Sequence, residues 1–143
     1  MPLDQVPGQD DIMATLRTIP GVTVYEGQYL TDGAAPPMNN DGLFKPYITT
    51  VFGASYQAND RSIDGEQHQP LFTTATVYCV APSDRIARQY RDKVRNLLTG
   101  FVPEDGTQLA AYGGYIYVDA DLGVNRYVHS IVFRYTTNMS YTT

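Results

Sequence analysis

The chain has 143 residues, 43% of them apolar and 17% charged, with a net charge of −5. That size and apolar content fit one folded domain, residues 1–143, and exclude wholesale disorder. The acidic balance argues against a general nucleic-acid binder, and the single cysteine, Cys79, excludes an intrachain disulfide and a cysteine-rich metal site. Twelve Tyr and five Phe stand against no Trp, and tyrosine suits both half-buried strands and interfaces. No apolar run approaches the roughly 18 residues of a membrane span. The first residues lack the basic and apolar regions of a signal peptide, so a cytoplasmic setting without membrane contact is expected.

Residues 1–9, with Pro2, Pro7 and Gly8, predict a loose arm. Asp10 or Asp11 then caps a short helix over about 11–18, with Ile12, Leu16 and Ile19 on one face. Pro20 and Gly21 stop it, and Val22–Tyr25 follows as a short strand. Residues 26–46 are rich in turn formers and predict a long irregular connection, able to reach a neighbouring subunit. Tyr47–Gly53 alternates semi-apolar residues on both faces, the pattern of a central strand. A polar loop over 54–70 leads to the clearest strand, Leu71–Ala81.

Pro82 closes that strand, and Ser83 is a good cap for a helix reaching about Thr99. Ile86, Tyr90, Val94, Leu97 and Leu98 form its apolar stripe. Arg85, Arg88, Arg91, Lys93 and Arg95 stand against only Asp84 and Asp92, a local charge of +3. The rest of the chain holds five basic and thirteen acidic residues, a charge of −8. Such segregation favours a neighbouring acidic protein surface as partner. Gly100 predicts a left-handed stop. Tyr112–Val118 is expected as a strand, with a bend or bulge at Gly113–Gly114. Tyr127–Thr136 is the last strand, and 137–143 is expected to fray or reach a neighbour. The pattern predicts an α+β fold. A mainly antiparallel or mixed sheet is packed on one face by the long helix and the short N-terminal helix.

Signals for chemistry are sparse. His68 and His129 lack the spacing of a helical zinc motif. His129 alternates with apolar strand residues and is expected as a hydrogen-bonded sheet residue. Cys79 is expected as a small core residue. Asp60, Asp64 and Glu66 lack the dense pattern of a calcium loop. Neither a phosphate-binding glycine motif nor a nucleophile elbow is present. Enzymatic activity, a metal and a cofactor are not expected.

The run Tyr78-Cys-Val-Ala-Pro-Ser-Asp-Arg-Ile-Ala-Arg-Gln-Tyr-Arg-Asp-Lys-Val-Arg-Asn-Leu-Leu-Thr-Gly100 resembles the strand-then-helix core of tail terminator and minor tail proteins from long-tailed phages. The Ile12–Pro20 segment, the Val22–Tyr25 strand, the late strands and the length are similar as well, over residues 10–136. The resemblance implies a homo-oligomer, a hexameric ring that caps the tail tube and docks to the head connector or neck protein. It carries over no catalytic residues. Arg85, Arg88, Arg91 and Arg95 are then candidates for subunit contacts or for transient, non-specific contact with phage DNA in the channel. Asp119 and Asp121 are candidates for receiving a basic residue from a neighbour. The expected location is the virion, assembled in the host cytoplasm. The alternatives are a tail tube or head–tail joining subunit and, from another class, a small-ligand binding domain or enzyme using the tyrosine-rich sheet.

Overall fold

Alternating β-branched and aromatic residues build two long strands, and the helix between them lays its apolar stripe on the sheet they form. The structure is a computed structural model that describes residues 6–27, 45–53, 56–57, 68–104, 106–119 and 126–140. In chain order the elements are α1 (Val6–Leu16), β1 (Thr23–Glu26), β2 (Tyr47–Phe52), β3 (Tyr56–Gln57), β4 (His68–Ala81), α2 (Asp84–Leu98), β5 (Ala110–Gly113), β6 (Ile116–Asp119) and β7 (Arg126–Ser140). The sheet order is β1-β2-β4-β7-β5, with β3 also on β4 and β6 also on β7. β1 and β2 are parallel and every other pair is antiparallel, so the sheet is mixed. The connection β4–α2–β5 crosses over β7, which lies between the two strands it joins.

One face of the sheet is covered by both helices. Ala75, Val77 and Cys79 of β4 and Ile131, Phe133 and Tyr135 of β7 meet Val94 and Leu98 of α2 and Ile12, Met13 and Leu16 of α1 in one core. Burial of each such aliphatic side chain stabilises the fold by about 1.5–3 kcal/mol. Ser83 caps α2 as predicted, its hydroxyl accepting from the Ile86 N–H at 3.3 Å. The far end closes with the Thr99 N–H on the Arg95 carbonyl, and Gly100 takes φ 85°, the left-handed stop. Among the six apolar residues of α2, Ala87, Val94 and Leu98 are fully buried while Ile86, Tyr90 and Leu97 are half-buried.

Several boundaries differ from expectation. α1 begins at Val6, not near Asp11, so residues 6–9 are helical. Pro7 is tolerated in the first turn, where its missing N–H costs nothing. Gly8 fits because a Cβ there would stand 2.8 Å from the Glu104 carbonyl oxygen. β4 starts at His68 and β7 runs to Ser140, where a polar loop and a fraying tail were expected. The two ends pair with each other, His68 across from Ser140 and Leu71 across from Thr137. Residues 1–5, 28–44, 58–67 and 141–143 lie outside the described residues, and with them most of both predicted long loops.

A candidate assembly surface on the long helix and the sheet edge

Helical spacing decides where each charge of α2 goes. Asp84, Arg88, Arg91 and Arg95 fall on one stripe at intervals of four, three and four. Contacts place that stripe on the β7 side: Asp84 and Arg91 both reach His129 of β7. Tyr90 and Lys93 lie on the other flank. The Tyr90 hydroxyl donates to the Gly21 carbonyl, and the Lys93 ammonium stands 4.9 Å from the Tyr90 ring centre.

The four arginines have different surroundings. Arg85, Arg88 and Arg95 are exposed. Arg88 approaches Asp84 at 4.0 Å, a solvent-screened contact of little energetic weight. Arg91 is the exception to the expected free cationic face, with a side chain only 20% exposed. Its Nη1 lies 3.2 Å from His129 Nδ1, and its Nη2 lies 3.5 Å from Asp92. Asp119 ends β6 directly across from Arg126 of the same chain. Asp121 lies outside the described residues.

His129 is buried between opposite charges. Arginine can only donate, so Nδ1 must accept and the ring proton sits on Nε2. That proton is donated to Asp84 Oδ1 at 2.7 Å. This tautomer is assigned from the hydrogen-bond network. The hydrogen bond from His129, followed by the charges of Arg88 and Arg91, holds the Asp84 carboxyl below its usual value, with burial opposing.

Cys79 stands directly across from His129 on the neighbouring strand. With Asp84 behind the imidazole, this superficially matches a cysteine–histidine–aspartate set. The thiol is buried, and burial pushes it up to about 12, partly offset by Arg91. A thiol so raised supplies almost no thiolate at neutral pH, and the thiolate is the nucleophile. His129 spends both nitrogens on Arg91 and Asp84. The geometry makes this set a structural tie between α2 and the sheet.

Two further features complete the surface. A shallow cleft of about 370 Å³ runs between the end of α1 and α2, lined by Thr18, Ile19, Pro20, Lys93, Asn96 and Leu97. Its one charged group is Lys93. The second feature was not singled out by sequence reasoning. Tyr112, Tyr115, Ile116 and Val118 are all more than half exposed along the β5–β6 edge. A usable signal existed, since residues 110–118 contain neither charge nor proline. Among the described residues, no group of three or more His, Cys, Asp or Glu is placed to hold a metal. No helix among them is long and apolar enough to cross a membrane.

Comparison with solved structures finds a chain in the virion of a native gene transfer agent particle. The fold is that of a virion-particle chain. The likeness covers 94% of each chain at a TM-score of 0.52, with 14% sequence identity. No protein-family model matches the chain, and no curated protein matches it.

Proposed function

We propose that this chain is a structural subunit of a phage-type virion, and within it the tail terminator. On this proposal a homo-oligomeric ring, hexameric as the tail-terminator resemblance implies, ends the tail tube and docks to the head connector or neck protein. The observation that carries the proposal is the likeness to the virion-particle chain across nearly the whole of both chains. Three properties support it. The exposed cations of α2 face a chain that is otherwise acidic, which favours contact between copies. The exposed apolar edge calls for a covering partner. Cys79 and His129, the reactive side chains that stand together, are spent on structure. We assign the chain no catalytic activity. DNA meets the ring only transiently and without sequence preference.

Purified protein mixed with tail tubes of the same phage and imaged by negative stain tests this. Rings seated at tube ends are expected. Stacked continuous tubes made of this chain would assign it to the tube, and binding to connectors alone would assign it to the head–tail joint. A chain that ignores both and binds a small molecule would overturn the structural role.

A further inference from the structure

Among the described residues, β5 and β6 run as one interrupted strand along an edge of the sheet, both antiparallel to β7. Soluble proteins usually blunt such an edge with charge, proline or a covering segment. This edge has neither charge nor proline from Ala110 to Val118, and every side chain in that span is exposed. Tyr112 is 69% exposed and Ile116 63%.

The backbone is available as well. Ser130 donates its N–H to the Tyr115 carbonyl at 2.9 Å, and Tyr115 donates its N–H to the Ser130 hydroxyl at 2.8 Å, so both backbone groups of Tyr115 turn toward β7. Alternation along an antiparallel ladder then turns the N–H and C=O of Ile116 and Val118 away from β7. Among the described residues no strand lies beyond them.

The exposed side chains also select the mode of contact. Ile116 and Val118 sit across from His129 and Tyr127, on the helix side of the sheet. Tyr117 sits across from Val128, on the opposite side. A partner packed on one face would leave the other wet. A strand added to the edge covers both faces and satisfies the outward backbone groups.

We propose that the β5–β6 edge receives the β1 edge of a second copy of this chain, so that one sheet continues from subunit to subunit. This rests on the ring-forming function proposed above. Among the described residues β1 is the opposite edge of the same sheet, and it has the same four-residue length as β6. Gly27 donates its N–H to Thr50, so the N–H of Glu26, one residue earlier, points outward. Charge matches: exposed Glu26 arrives beside the stripe of α2 that carries Arg88 and Arg95. Direction matches too. Counting pairings across the sheet, β1 and β6 run in opposite senses. A copy rotated about an axis along the strands therefore meets β6 antiparallel and keeps its helices on the same side. The contact joins two different surfaces, so it closes into a ring when the rotation permits.

Two proline substitutions test the pairing. Val118→Pro and Glu26→Pro each remove one outward N–H and no bond of the internal ladder. Circular dichroism should show both variants folded. By light scattering each alone should fall to the 15.9 kDa of a single chain. Mixed together they should form one-to-one dimers, because one intact β6 edge and one intact β1 edge remain. Ile116→Lys keeps every backbone group and should weaken self-association about tenfold, which covers the case of a misfolded proline variant. Rings that survive both prolines, or folded variants that fail to pair on mixing, would overturn the edge pairing and leave the virion role standing. Self-association intact with no engagement of tubes or connectors would overturn the virion role and leave the pairing. A wild-type chain that stays monomeric with and without tubes overturns both.

Discussion

His129 shares its two nitrogens between a cation and an anion, and the pH behaviour of the fold follows from that neighbourhood. The folded-state pKa of Asp84 is lowered, first by the hydrogen bond from His129. Its contribution is therefore present above the unfolded value of 3.8 and is lost as pH falls through the lower folded value. Asp84→Asn retains an acceptor for Nε2–H but has no charge to lose. In urea melts at a series of pH values, its stability should fall less steeply below about pH 4 than that of the wild type. Identical acid limbs would contradict the assignment. At the alkaline end the sign reverses. Burial raises Cys79 from 9.0 to about 12 and Tyr135 from 10.0 to about 12. Their contribution is complete below pH 9 and is lost as pH climbs toward 12, because the unfolded chain releases those protons first. Cys79→Ala lowers stability at every pH through lost packing, yet it should remove the early part of the alkaline slope, between pH 9 and 10. The adjacency behind these effects was not legible in the sequence. Cys79 and His129 are 50 residues apart, and only the β4–β7 register brings them together. Their separate identities as core and hydrogen-bonded sheet residues were legible, because each alternates with apolar neighbours.

At the scale of elements, local signals located what local forces make. α2 could be placed almost to the residue because its cap, its stripe and its stop are all written within the segment 83–100. The ends of β4 and β7 could not, because His68–Pro70 and Thr137–Ser140 are polar and become strand only by pairing with each other. Strand β3 escaped for the same reason. The Gly113–Gly114 pair was legible as a bulge, and the register shifts by one residue between Ala111 and Gly113. Gly113 takes φ 138°, and a Cβ on Gly114 would run into the Ser130 carbonyl. Gly114→Ala should thus cost about 1–3 kcal/mol by overpacking. The urea midpoint should drop with an unchanged slope, and a drop below 0.5 kcal/mol, the usual range for surface changes, would show that the edge strand yields at that point.

At the scale of the whole molecule, the charge separation evident in the sequence divides into two jobs once burial is known. Five cations on one helix suggested a single free face, but Arg91 folds inward onto His129 while Arg88 and Arg95 remain in solvent. The partition gives opposite expectations for the same chemical change. Arg91→Glu sets an acid among Asp84, Asp92 and His129 in a site that is four-fifths covered. It should cost about 2–3 kcal/mol of folding stability. Arg88→Glu with Arg95→Glu touches no buried partner, so the thermal midpoint should stay near that of the wild type. Reversing two exposed charges against an acidic neighbour should instead weaken ring formation by about tenfold, at up to 1 kcal/mol for each contact. The defect should shrink as salt rises toward 1 M, where exposed charges farther apart than about 3 Å are screened. Light scattering across a salt series, beside melting curves for the same samples, separates the two effects. A double reversal that unfolds the chain, or an assembly defect that salt leaves untouched, would show that these arginines do not meet an acidic surface of another subunit.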